Sequence, residues 1–140
     1  MNQSEIPRGI RNSNPGNIDR TAERWQGMAA DQSSDKRFVV FDAPVWGLRA
    51  LAKVLLSYQR KHGLRTPAAI IGRWAPPVEN DTGAYARQVA KALGVGVNDQ
   101  IDLQQARMLE RILPAIVQHE NGQQPYPAAL IAEAVRLALE

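Results

Sequence analysis

The sequence predicts a mainly helical, single-domain protein with a small β-hairpin near its N-terminus. Three observations carry this expectation. From Pro44 onward, apolar residues recur with the 3.6-residue helical period. Helix stops punctuate that pattern at Gly63, Pro76-Pro77, Gly94 and Gly122. Before Pro44 the chain is rich in turn formers and holds one short β-prone run, Arg37-Phe38-Val39-Val40-Phe41. The 140 residues match one ordinary domain, and 44% hydrophobic residues suffice for a core. Residues 1–140 therefore read as one unit, with 1–7 as a flexible tail.

The segment from Arg8 to Ile18 is irregular, and Pro15-Gly16 suits the centre of a type II turn. Residues 37–41 are expected to pair with the stretch around Asn17 to Gln26 as a hairpin or ribbon. Pro44 can open a helix, because its missing N–H is no loss in the first turn. Leu48, Leu51, Ala52, Leu55, Leu56 and Gln59 share one face, and Gly63 ends it. A short helix over 67–74 follows, capped by Thr66 and stopped by Pro76-Pro77. Another is expected over 82–93, capped by Asp81 or Thr82. A longer one should start after Asp102 and reach Glu120, with Pro114 kinking or splitting it. The last should run from Pro127 to Leu139.

Composition excludes several chemistries. The chain has no cysteine, so disulfides, thiolate zinc and cysteine nucleophiles are absent. His62 and His119 are the only histidines and form no His-Glu-x-x-His pattern. No serine sits in a Gly-x-Ser-x-Gly elbow. No metal and no cofactor are expected, which leaves carboxylate chemistry. The formal charge of +3 is compatible with an anionic partner, and equally with none. No apolar run is long enough for a membrane span. Met1 to Arg24 is polar and lacks the apolar region of a secretory signal. Work outside the cytoplasm would then need delivery by a virion, a holin-type hole or host lysis.

Two glutamates have distinctive positions. Glu120 closes the helix that ends at Gly122. The negative end of a helix dipole disfavours another negative charge, so the field there favours the protonated acid. A glycosidase needs such an acid to protonate a leaving oxygen. The bland reading makes Glu120 a solvated last-turn residue, but a purely structural helix would place Lys or Arg there. Glu79 stands just before a helix start, where free N–H groups favour the carboxylate. It can serve as a fixed anion, or it can simply help Asp81 with capping.

Sugars stack on aromatic faces and bond to amides. Trp25, Trp74, Tyr85 and Tyr126 flank the two carboxylate segments. Asn12, Asn14, Asn17, Asn80 and Asn121 can supply amides. Trp74 reads better as core, and Tyr85 and Tyr126 fit either role.

Arg8-Gly9-Ile10-Arg11-Asn12-Ser13-Asn14-Pro15-Gly16-Asn17-Ile18, then Trp25-Gln26-Gly27, resembles the opening of a family of phage and prophage proteins. Phe41-Asp42-Ala43-Pro44, Gly47-Leu48-Arg49-Ala50, Arg73-Trp74-Ala75-Pro76, Glu79-Asn80-Asp81-Thr82 with Tyr85, and His119-Glu120-Asn121-Gly122 continue the pattern over nearly the whole chain. The family is usually called phage structural proteins. It is similar to the virion-associated lytic enzyme of enveloped double-stranded RNA phages, whose fold is lysozyme-like and of lytic-transglycosylase type. The resemblance implies that fold here, peptidoglycan as substrate, and a virion setting with other virion proteins as possible neighbours. It adds Thr82 and His119 to the candidate substrate contacts. The order of elements departs from many lysozyme-like domains, since the acidic helix comes late, which implies a permuted arrangement. Ser13 also stands where the family usually has asparagine.

The leading functional reading is cleavage of the glycan strand between alternating aminosugars, with Glu120 and Glu79 as catalytic residues. Asn14, Asn17, Trp25, Asn80, Thr82, Tyr85, His119, Asn121 and Tyr126 are the candidate substrate contacts. Cleavage of the peptide cross-link, or a virion part without activity, are the near alternatives. A nucleic-acid role ranks lowest. Tyr85 to Val95 reads like the first helix and turn of a helix-turn-helix, yet the next stretch is long for a turn and holds Asp99 and Asp102.

Overall fold

The computed structural model describes residues 6–77 and 80–140. Among these, six helices follow in order: α1 (Arg8–Arg11), α2 (Pro44–His62), α3 (Pro67–Trp74), α4 (Thr82–Leu93), α5 (Ala106–Asn121) and α6 (Ala128–Leu139). None is long and apolar enough to cross a membrane. The expected flexible tail lies mostly in 1–5, outside the described residues, but Pro7 is ordered and its carbonyl accepts from Arg11 N–H at 3.0 Å.

α2 is the spine. Pro44 occupies its first turn, and Gly63 closes it at φ 64°. At that φ a side chain would strain the backbone, so glycine is favoured. Leu48, Leu51, Ala52 and Leu55 are all fully buried. α6 packs along α2, and the chain α3–α4–α5–α6 closes the core around it. Tyr85, Val89, Leu109, Ile112, Leu113, Ile116 and Val135 fill the interior. Thr66 caps α3 by accepting from Ala69 N–H at 3.1 Å, and Asp81 caps α4 by accepting from Ala84 N–H at 3.1 Å.

Pro114 does not split its helix: α5 is one element from Ala106 to Asn121. Proline costs an internal hydrogen bond, but Leu113, Ile116 and Val117 bury the same face on either side of it. The start is later than expected, because Asp102 to Gln105 is spent in a turn closed by Gln105 N–H to Asp102 O at 3.2 Å. The helix-turn-helix read at Tyr85 to Val95 is not formed. Residues 94–105 separate α4 from α5 and are tied down elsewhere. Buried Gln59 donates to Ile101 O at 2.9 Å and accepts from Leu103 N–H at 2.8 Å.

The expected hairpin is not formed. Two isolated antiparallel bridges, Asp19 with Phe38 and Met28 with Phe41, are the β-structure of this region among the described residues. The reason is competition from side chains. Gln32 bonds both the N–H and the C=O of Val40 at 2.8 Å, and Asn14 donates to Val39 O at 2.9 Å. The remaining backbone groups of 37–41 are shared out: Arg37 O and Val39 N–H pair with Arg20 and Ile18, Val40 O also accepts from Ala29 N–H, and Phe41 N–H goes to Asn12. The pairing of 18–20 with 37–39 therefore stops at one bridge and does not extend into a strand.

The type II turn is likewise absent. Asn17 N–H closes on Asn14 O at 2.9 Å, but the left-handed residues are Ser13 (φ 53°) and Asn17 (φ 50°), with Gly16 outside that region. Gly16 is small for packing instead. A Cβ there would lie 3.1 Å from Leu51 and 3.3 Å from Trp74.

Candidate functional site

Three helices converge on Glu120. It lies in the last turn of α5, half-buried, before Gly122 ends the helix at φ 73°. Tyr85, in the first turns of α4, is fully buried. Its hydroxyl donates to Glu120 Oε2 at 2.9 Å. That hydroxyl in turn accepts from Trp74 Nε1, at the end of α3, at 3.1 Å. The apolar face of α4, with Tyr85, Val89 and Leu93 at helical spacing, turns Tyr85 inward.

Burial pushes the Tyr85 phenol far up, and the neighbouring Glu120 charge and hydrogen bond add to the shift. Tyr85 is therefore a neutral, fixed donor. Glu120 Oε1 takes no hydrogen bond among the described residues, so one carboxyl oxygen is anchored and the other is free.

His119 stacks on Tyr85, with ring centroids 3.5 Å apart and planes at 21°. Its Nδ1 meets Gln88 Oε1 at 2.7 Å. Asn121 Nδ2 donates to Pro15 O at 2.8 Å and to Val117 O at 3.0 Å, which ties the Asn14–Asn17 turn to the end of α5. Thr82 Oγ1 donates to Ala75 O at 2.5 Å, and Asn80 Nδ2 to Pro76 O at 3.1 Å, so both brace the approach from α3 to α4.

The structure thus brings together Tyr85, His119, Glu120 and Asn121, with Asn80 and Thr82 on the adjoining connection. Glu79 lies outside the described residues. Asn14 is fully buried and its amide is committed to the backbone of Ile18 and Val39. Asn17 faces inward, and its Oδ1 is buried without a partner. Trp25 packs beside a small second core of Val39, Phe41 and Ala50. Tyr126 belongs to the main core, and its buried hydroxyl has no partner. Among the described residues no group of three or more His, Asp or Glu could hold a metal ion.

Two features escaped the sequence reading. Trp74 is partly buried against the main core, and its indole N–H also orients Tyr85. No local pattern links two residues on different helices. Asp35 is the second. This buried carboxylate accepts two bonds from Arg8 at 2.6 Å, one from Asn12 at 2.8 Å, and the backbone N–H groups of Arg37 and Phe38 at 2.8 Å. It locks α1 to the 31–38 loop.

No family model matches the chain. It is 36% identical over 126 residues to Protein P5 of Pseudoalteromonas phage PM2, an alignment that spans 88% of this chain and 76% of that protein.

Proposed function

This chain belongs to the family of Protein P5 of phage PM2, and from that premise we propose that it is a phage protein that cuts the glycan strand of peptidoglycan, with Glu120 as general acid and then base. The carrying observation is the Glu120 carboxyl, half-buried at a helix C-terminus, with one oxygen fixed by Tyr85 and the other unengaged. In this reading Oε1 carries the proton. It protonates the glycosidic oxygen as the sugar C–O bond breaks, and the carboxylate then takes a proton from the attacking hydroxyl. The attacker is water, or a hydroxyl of the sugar itself as in transglycosylase chemistry. A single carboxyl serves both steps. Tyr85 and Trp74 position it, and His119 and Asn121 flank it. The helices α2, α5 and α6 would form a lysozyme-like core in permuted order, and action on the wall would require delivery by the virion or through lysis.

The test is digestion of purified murein sacculi with mass spectrometry of the products. New reducing or anhydro sugar ends support glycan cleavage. New amino groups mean cross-link cleavage instead, for which the chain offers no cysteine and no serine elbow. A second reading, a virion part without activity, draws on one observation: neither of the two clefts of about 500 Å³ includes Glu120. Intact sacculi after prolonged incubation would favour it.

A further inference from the structure

A cleft of about 500 Å³ runs along the outer face of α2, lined by Arg24, Trp25, Arg49, Lys53, Arg60 and Lys61. From these residues we infer that the cleft is a binding site for single-stranded nucleic acid, with the phosphodiester backbone held by the cations and a base resting on Trp25.

Four of the cations sit on α2 at spacings that place them within one side of the helix. Leu48, Leu51 and Leu55 occupy the opposite side and are fully buried. The cleft is therefore separate from the face that builds the Glu120 site. Glu23 is the one acidic residue lining it. None of the five cations has an ion-pair or hydrogen-bond partner among the described residues. By contrast, Arg8 and Arg136 are paired with carboxylates. Five unpaired positive charges around one concavity repel each other, and an anionic ligand relieves that repulsion.

The geometry favours a strand over other polyanions. Arg49 to Lys61 spans roughly 18 Å along the helix axis at about 1.5 Å per residue. That length is enough to meet several successive phosphates of an extended strand. A cationic groove with an aromatic surface inside it is the pattern that follows a single strand, because every base has a face to stack. Trp25 is half-buried and is the one aromatic residue in the cleft. A bilayer surface cannot enter a concavity, and Val54 is the one aliphatic side chain lining it. The inference is independent of the wall-cleaving reading, and of the helix-turn-helix read at Tyr85 to Val95.

The test is fluorescence anisotropy of a labelled 20-nucleotide oligodeoxythymidine with the full chain. Binding should weaken steeply with salt, by roughly 50- to 130-fold between 50 and 200 mM if four or five phosphates are engaged. The double variant Lys53→Glu/Arg60→Glu should lose at least about tenfold in affinity. Arg107→Glu/Arg111→Glu, on exposed positions of α5, changes net charge equally and should retain binding. Circular dichroism checks that both variants keep their helix content. Three results would overturn the inference: no binding at low salt, equal loss in the two double variants, or tighter binding to vesicles of 70% phosphatidylcholine and 30% phosphatidylglycerol with the same dependence on Lys53 and Arg60. The last would make a membrane surface the partner.

Discussion

Tyr85 donates to Glu120 across 35 positions of sequence, from a ring that solvent does not reach to a carboxyl that it does. The bond fixes one carboxyl oxygen from below. Its acceptor side is filled by Trp74, so the phenol has no freedom to turn away. A carboxyl held this way keeps its orientation without being sealed from a substrate. The same three side chains join α3, α4 and α5, so the site and the core share their packing.

Burial raises all three tyrosines: Tyr58, Tyr85 most strongly, and Tyr126 up to about 12. A phenol is charged only after losing its proton, so burial disfavours its high-pH form. The stability this contributes is complete below the unfolded value of about 10 and is lost as pH rises towards the folded values. Denaturant midpoints should therefore hold up to about pH 10 and fall above it. Absorbance at 295 nm should show little tyrosinate in the folded protein at pH 10.5 and roughly three-quarters conversion in guanidinium. Tyr126→Phe should match or exceed wild-type stability, by up to about 1–3 kcal/mol, because its unpartnered hydroxyl is removed. Tyr126→Ala should cost roughly 3–5 kcal/mol and leave wall binding unchanged in the folded fraction.

Asp35 sets the opposite limit. The Arg8 hydrogen bonds, opposed by burial and aided by the Phe38, Arg37 and Asn12 donors, hold its carboxyl well below the usual carboxylate range. Its stabilisation is present above the unfolded value of about 3.9 and is lost as pH falls towards the folded one. Asp35→Asn should lower the melting temperature at pH 7 and flatten the acid limb below about pH 4. Equal acid sensitivity in the two proteins would mean that Asp35 does not govern that limb.

Helix positions were legible because each is written locally. Thr66, Asp81, Gly63, Gly94 and Gly122 all act at the ends they mark, within one turn of the residues they satisfy. The helix-end position of Glu120 was legible for the same reason, since it stands before Gly122. What surrounds it was legible only in part. Tyr85 was singled out, but its partner Trp74 lies on another helix, and no periodicity encodes that meeting. The N-terminal third misled for a physical reason. Residues 37–41 have strand propensity, yet Asn14 and Gln32 take the backbone groups that a partner strand would have used. Asn14, read as a substrate amide, is part of that substitution.

Ser13 illustrates a related point and carries its own prediction. It adopts φ 53°, in the left-handed region. Asparagine and glycine tolerate that region better than serine. The position therefore answers to the backbone. Ser13→Asn should stabilise by a few tenths of a kcal/mol and Ser13→Gly by up to about 1 kcal/mol, with wall digestion unaffected. A drop in thermal midpoint for both would refute the backbone explanation.

The site itself is tested by Glu120→Gln. The side-chain amide keeps the length of the carboxyl, and its oxygen can still accept from Tyr85. What it loses is the ability to give a proton and take one back. Digestion of sacculi should fall by roughly 10²–10⁴-fold, the usual loss when a general acid is removed. Stability should hold, because the amide oxygen still accepts the Tyr85 hydrogen bond. Tyr85→Phe separates positioning from chemistry. It keeps the ring against His119 but leaves Trp74 Nε1 without an acceptor and Glu120 without its anchor. It should cost about 1–3 kcal/mol of stability. Activity should drop less than in Glu120→Gln, since the carboxyl remains but is no longer held. Wild-type digestion by Glu120→Gln would remove Glu120 from the chemistry. The Trp74–Tyr85–Glu120 chain would then be a structural tie among three helices.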